Sequence, residues 1–144
     1  MPDIKNVLGF DYGLRRIGIA SGQSITKTAT PLPAIVAKEG VPNWQEVAKL
    51  IAQWQPQALL VGIPLLMDDK EQPLTHKARA FAKSLAQFNL PVYDVDERLS
   101  TREARSRLSE INDFKSMNHR KVDSMAACII VETWLNTQPS ARPG

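Results

Sequence analysis

Residues 57–64 read QALLVGIP, a short apolar run between two segments with helix-like spacing. A run of this length without polar alternation is typical of a strand buried on both faces, as in a parallel sheet. Apolar residues recur at helical spacing from Trp44 to Trp54 before the run, and from Leu74 to Leu85 after it. This order predicts an α/β domain whose sheet is covered by helices on both faces.

The N-terminal part predicts an antiparallel portion of the same sheet. Three strands are predicted there, at residues 7–12, 16–22 and 28–37. Gly13 marks the turn of a hairpin between the first two. The third contains Pro31 and Pro33, which restrict it to an edge or to an irregular start. With a further strand predicted at 91–97, the sheet is expected to be mixed.

The C-terminal part predicts a helix from about Asn118 to Leu135. The predicted buried stripe of this helix comprises Val122, Met125, Ala126, Ile129, Ile130 and Thr133. We expect one domain over residues 1–137, followed by a disordered tail at 138–144.

Composition narrows the class of protein. The chain has 144 residues, 43% of them hydrophobic, and it has no apolar segment near the roughly 20 residues needed to cross a bilayer. Its single cysteine, Cys128, lies in the apolar run AACIIV and is expected to be buried and inert. A chain without an internal disulfide fits a reducing compartment, so we expect a cytoplasmic protein with no membrane partner.

Positive charge is concentrated near the C-terminal side. The net charge is only +3, but the span from Arg98 to Lys121 holds seven basic residues against three acidic ones. Such a field can hold a phosphate backbone. A solvated helix face with internal ion pairs, such as Glu103 with Arg107, explains the same pattern equally well.

Three carboxylates stand in unusual places. Asp11 ends the first strand, Glu97 follows the last strand beside Asp96, and Asp123 lies within the final helix. Strand alternation places Asp11 on the face of Gly9, and we expect Gly9 to leave open space beside the acid. Each acid also has a structural alternative, in a turn or in an ion pair with a neighbouring arginine or lysine.

If the three carboxylates meet, they need a cation, because neighbouring buried negative charges repel each other. Mg²⁺ or Mn²⁺ would fit, since these hard ions prefer carboxylate oxygen. Such a cluster is typical of two-metal phosphodiester sites. Spacing alone does not show that the three residues meet.

Four segments together resemble the YqgF family of Holliday-junction-resolvase-like proteins, also described as pre-16S rRNA nucleases. These are GFDYGLRRIGIA, VGIPLLMD, DERLST and VDSMAACIIVE, in family order between Gly9 and Glu132. The resemblance implies a ribonuclease H-like fold, a mixed five-stranded sheet flanked by helices. It also implies an acidic triad of Asp11, Glu97 and Asp123 that binds Mg²⁺ or Mn²⁺, with Glu97 chosen over Asp96.

The activity implied by this resemblance is metal-dependent phosphodiester hydrolysis in 5′-end maturation of pre-16S rRNA. The expected partner is nucleic acid, RNA in preference to DNA, with the ribosome as a further partner and a monomer or homodimer left open. The residues expected to contact nucleic acid are Arg16, Arg102, Arg105, Lys115, Arg120 and Lys121.

The sequence departs from the family pattern after the buried run, where PLLMDD replaces a typical PLNMDG. Leu66 loses a polar substrate contact, and Asp69 does not adopt a positive φ as readily as glycine. Two alternatives stay open: a non-catalytic nucleic-acid or ribosome-binding module, and a resolvase of branched DNA. An actin-like ATPase, suggested by the DYG motif, is discounted, because such proteins need two domains of this kind and 144 residues fit only one.

Overall fold

The computed structural model describes residues 4–65, 68, 70–99 and 124–137. The strands are β1 (Asn6–Asp11), β2 (Arg16–Gln23), β3 (Thr28–Lys38), β4 (Val41–Pro42), β5 (Ala58–Ile63) and β6 (Val92–Asp96). The helices are α1 (Trp44–Trp54), α2 (Pro73–Leu85) and α3 (Met125–Thr137), with short 3₁₀ turns at Ala86–Phe88 and Glu97–Leu99. The final helix was expected from residue 118, and residues 118–123 lie outside the described part.

The strand order is β4-β3-β2-β1-β5-β6. β1 pairs antiparallel with β2 and parallel with β5, which in turn pairs parallel with β6. This confirms the mixed sheet of an α/β fold. The two-residue strand β4 was not expected, so the described sheet has six strands where five were predicted.

Strand alternation sends apolar side chains to both faces of the sheet. All six residues of β5 are buried, as its uninterrupted apolar run predicted. Leu8, Phe10, Leu59 and Val61 join the core beneath α1 and α2, where Phe81 packs against Trp44 with ring centroids 5.7 Å apart. Val7, Ala20, Leu60 and Val95 join a second core beneath α3. Helices therefore cover both faces.

β3 lies at the edge of the sheet for most of its length. It pairs with β2, and on its other side it pairs with β4 only at Ala37 and Lys38. The ladder between β2 and β3 is irregular between Ile17 and Ile19. The Ser124 hydroxyl fills this irregularity, because it accepts a hydrogen bond from Ile19 N at 2.9 Å and donates one to Leu32 O at 2.5 Å.

Helix α3 lies unusually close to the sheet. A Cβ at Gly9 would stand 2.3 Å from Val131 Cγ2, and one at Gly22 would stand 2.3 Å from Val131 Cγ1. Glycine is therefore required at both positions. The expectation of open space beside Gly9 is wrong, because the Val131 side chain fills that space.

The buried face of α3 also differs from the predicted stripe. Its buried residues are Met125, Ala127, Cys128, Ile130, Val131, Trp134 and Leu135. Ala126, Ile129 and Thr133, which the stripe included, are only half-buried. Met125 and Ile130 are buried as predicted, and the stripe was wrong at the other described positions because apolar residues occur all round this helix. Cys128 is buried as expected. None of the described helices is long and apolar enough to cross a membrane.

Candidate active site

Asp11 lies at the carboxyl end of β1, on the face of the sheet covered by α3. Phe10 stands opposite Val61 in the parallel pairing of β1 with β5. The next position along both strands therefore brings Asp11 beside Gly62, and alternation puts both on the α3 face. The carboxylate is thus next to a position that has no side chain.

Glu97 reaches the same position from the other side. It follows β6, which pairs parallel with β5 so that Gly62 stands opposite Val95. A Cβ placed on Gly62 would lie 3.3 Å from Glu97 Cγ and 2.3 Å from Ile130 Cδ1. The bare backbone at Gly62 therefore leaves room for the Glu97 side chain beneath α3.

Asp11 and Glu97 consequently flank Gly62 at one end of the parallel strands. Their backbones belong to strands two positions apart, which corresponds to roughly 10 Å across the sheet. Side chains that extend toward each other over a glycine can shorten the distance between their carboxylates. Two acidic residues of one candidate site therefore lie at the ends of β1 and β6, with Gly62 of β5 between them.

Burial raises the pKa of the Asp11 carboxyl from 3.8 to about 6. Removing the group from water disfavours its charged form. In the part of the chain that the structure describes, no lysine, arginine or histidine forms an ion pair with Asp11. The carboxylate is therefore poised to gain from a cation.

Asp96 has a different environment from its neighbour Glu97. Its carboxylate accepts hydrogen bonds from Arg98, with Nη2 to Oδ2 at 2.6 Å and Nε to both oxygens at 3.0 Å. This bonding to Arg98 lowers the pKa of Asp96. Asp96 forms an ion pair with Arg98, and Glu97 is the acid that lies beside Gly62.

The described residues do not include the whole predicted site. Of the predicted triad, Asp123 lies outside them, although Ser124, the next residue in the chain, is anchored on β2 and β3. Arg16 begins β2 and is exposed. The other predicted residues outside the description are Arg102, Arg105, Lys115, Arg120 and Lys121, together with the unusual Leu66 and Asp69. Within the described ranges, no three acidic, histidine or cysteine side chains form a metal-binding group.

Two residues that shape the site were not singled out from the sequence. Gly62 is the one residue of the apolar run 57–64 that lacks a side chain, and that signal could have identified it. Ser124 is the polar residue that directly follows Asp123 before an apolar helix. A buried hydroxyl at that place indicates an anchoring hydrogen bond.

An α/β sheet with acidic groups at the ends of two strands, β1 and β6, on either side of β5 defines a class of candidate hydrolases acting on charged substrates. A family model described as "RuvX: Holliday junction resolvase" matches residues 5–137. The chain belongs to this family, which confirms the resemblance found in the sequence.

Curated relatives cover nearly the whole chain. A protein of Glaesserella parasuis serovar 5, named "Putative pre-16S rRNA nuclease", is 52% identical over 135 residues, which are 93% of this chain and 98% of the relative. A protein of Legionella pneumophila strain Lens with the same name is 54% identical over 129 residues, which are 89% of this chain and 93% of the relative.

Solved structures confirm the fold. RuvC of T. thermophilus in complex with a Holliday junction substrate has a TM-score of 0.57 at 15% identity, over 92% of this chain and 95% of that one. The fowlpox virus Holliday junction resolvase has a TM-score of 0.53 at 13% identity, over 92% and 99%. At these identities the likeness shows a shared architecture alone, that of RuvC-like ribonuclease H-fold proteins.

Proposed function

We propose that this protein is a metal-dependent nuclease that hydrolyses phosphodiester bonds in the 5′-end maturation of pre-16S rRNA. The observation that carries the proposal is the placement of Asp11 and Glu97 on either side of Gly62, beneath α3. Asp123 is proposed as the third carboxylate. The substrate is taken from the names of relatives that are about half identical over nearly the whole chain.

The described side chains suit a divalent cation. Asp11 is partly buried, its pKa is raised by burial, and no described basic side chain neutralises it. A carboxylate in this state favours a hard cation such as Mg²⁺ or Mn²⁺. When bound, such ions stabilise the charge on the attacking and leaving oxygens of an in-line displacement.

The roles proposed for the described acids follow from their environments. Asp11 is charged above about pH 6 and supplies the central negative charge of the site. Glu97 and Asp123 hold the two sides, and the Asp96–Arg98 ion pair fixes the chain around Glu97. The residues proposed to contact the phosphate backbone are Arg16, Arg102, Arg105, Lys115, Arg120 and Lys121. The proposed partners are RNA and the ribosome, in the cytoplasm.

A cleavage assay with matched variants tests the proposal. A short labelled RNA that spans the 5′ boundary of 16S rRNA is incubated with Mn²⁺ and either wild type or Asp11→Asn. We expect a loss of at least about 100-fold in Asp11→Asn, because the site loses its central charge. Asp94→Asn is the control, since Asp94 is an exposed carboxylate on β6. Equal background cleavage by wild type and Asp11→Asn would favour the non-catalytic binding module.

The family description supports a second candidate, resolution of branched DNA. The same acidic site would act on either substrate, because both reactions hydrolyse a phosphodiester. A synthetic four-way DNA junction is therefore compared with the RNA at equal concentration. Faster Asp11-dependent cleavage of the junction would replace the RNA proposal.

A further inference from the structure

A basic groove lies next to the end of β1 on the side of α2, whereas the candidate active site lies on the side of α3. It has a volume of about 670 Å³ and runs between the β1–β2 turn and the first turns of α2. Its lining includes Arg15, Arg16 and Lys77, and among the described residues no acidic side chain lines it. Three cations on two different elements converge on one concave surface.

Two of these cations have no ion-pair partner in the described part of the chain. Arg15 and Lys77 are exposed, and neither forms an ion pair within the described ranges. Arg79, two residues further along α2, is different because its Nε lies 2.9 Å from Glu71 Oε1. The charge of Lys77, which lies on α2 and lines the groove, is thus available to bind an anion.

The turn that carries Arg15 is held in place by the neighbouring strands. Leu14 O accepts a hydrogen bond from Gly40 N at 2.9 Å, and Arg15 O accepts one from Ala37 N at 2.8 Å. A Cβ at Gly13 would stand 2.5 Å from Arg16 O, so the turn requires glycine. Gly13 is two residues from Asp11, within about 7 Å along the chain. The groove is therefore preorganised close to the acidic site.

Lys77 also lines a second cavity of about 290 Å³, beside Tyr12, Trp44 and Phe81. Glu39 also lines this cavity, and Trp44 is the half-buried aromatic residue at its wall, with its ring stacked on the buried Phe81 at an interplanar angle of 20°. Proteins that bind single-stranded nucleic acid combine cations that follow the phosphates with aromatic side chains against which bases pack. A folded duplex cannot insert a base in this way.

The geometry points to a binding region for single-stranded nucleic acid that flanks the cleaved bond. Arg15, Arg16 and Lys77 hold its phosphates, and a base enters the cavity beside Trp44. The position of this region beside the cleaved bond rests on the proposed nuclease function, whereas the binding itself does not. The region extends the site from the acids at Gly62 across the β1–β2 turn to α2.

The test measures binding without cleavage. A fluorescein-labelled 12-nucleotide RNA is titrated with wild type in EDTA, and anisotropy gives Kd from 50 to 300 mM salt. Each phosphate contact on a single strand contributes about 0.7 to the slope of log K against log salt. The variant Arg15→Gln/Lys77→Gln should therefore lower the slope by about 1.4 and weaken binding about 25-fold at 0.1 M salt.

A charge-matched control separates the groove from general electrostatics. Lys49→Gln/Lys83→Gln removes the same net charge from exposed residues on α1 and α2 that do not line the groove. We expect this control to weaken binding less than about threefold. Equal weakening by both double variants, at equal thermal stability, would overturn the proposal.

The base cavity has its own measurement. In the Trp54→Phe variant, which lacks the exposed tryptophan, the 12-mer should quench tryptophan fluorescence, and the same sequence in a duplex should not. Absence of quenching by the bound single strand, or tighter groove-dependent binding of the duplex, would overturn the single-strand assignment.

The proposed nuclease activity can fail separately. If the groove variants bind as wild type does while Asp11→Asn abolishes cleavage, the groove is wrong and the nuclease stands. If groove-dependent binding is found but no Asp11-dependent cleavage occurs, the groove stands and the nuclease is wrong.

Discussion

The variant Asp11→Asn should make the cation-free protein more stable while it removes activity. Burial raises the pKa of this carboxyl from 3.8 to about 6, so its charged form is disfavoured in the folded state. The difference corresponds to roughly 3 kcal/mol of unfolding free energy above pH 6. Asparagine has nearly the same shape and no charge, so the substitution should recover most of this energy.

The sign of the pH dependence distinguishes this explanation from a packing effect. The folded protein binds a proton at Asp11 more tightly than the unfolded chain does, so wild type loses stability as pH rises from about 4 to about 6. The advantage of Asp11→Asn should therefore be near zero at pH 4 and maximal at pH 7 to 8. Mg²⁺ or Mn²⁺ should stabilise wild type by mass action and leave the variant unchanged.

Urea denaturation in EDTA at pH 5 and pH 8 measures these quantities. At pH 8 we expect a gain of 1 to 3 kcal/mol, or about 3 to 10 °C in Tm for a chain of this size. Asp94→Asn, at an exposed position of β6, should change stability by less than about 0.5 kcal/mol. A variant no more stable than wild type at pH 8 would mean that the fold already compensates the charge, and the argument for a cation would fail.

Three further substitutions test other parts of the structure. Ser124→Ala should lower the unfolding free energy by about 2 kcal/mol or more in urea melts, because it leaves a buried N–H and a buried carbonyl unpaired. Gly62→Ala should cost about 1 to 3 kcal/mol through overpacking, and a double-mutant cycle should show partial relief by Ile130→Val. Cleavage by Gly62→Ala should fall even where it is fully folded, because the new methyl group displaces Glu97. Asp96→Asn should cost about 1 kcal/mol at neutral pH, and an acid titration should show the difference disappearing as pH falls below 4, since bonding to Arg98 lowers the pKa of Asp96.

The parts of the fold set by local pattern were predictable from the sequence. The buried run at 57–64 predicted a parallel strand because nothing polar interrupts it, and Pro31 and Pro33 correctly indicated an edge strand. The buried face of α3 was not predictable in the same way. Because α3 has apolar side chains on nearly every side, its own sequence does not decide which face packs on the sheet. Gly9 and Gly22 decide it, since these residues, distant in sequence, leave room for the helix.

The site was predictable at the level of single residues but not of their arrangement. Asp11 stands out because it ends an apolar strand. Alternation along a strand implies that Asp96 and Glu97 face opposite ways, but not which of them faces α3. That choice depends on the register of β6 against β5, where Val95 stands opposite Gly62. Register between strands distant in sequence is not encoded in the pattern of either strand alone.

The glycines beneath α3 have different consequences for stability and for chemistry. At Gly9 and Gly22 the Val131 side chain occupies the space that a larger side chain would need, so no free space remains there. At Gly62 the space is shared by Ile130 and the Glu97 side chain. Substitutions under Val131 should therefore change stability and leave the acids in place. A substitution at Gly62 affects both, because the close approach of the helix at that point also forms the wall of the acidic site.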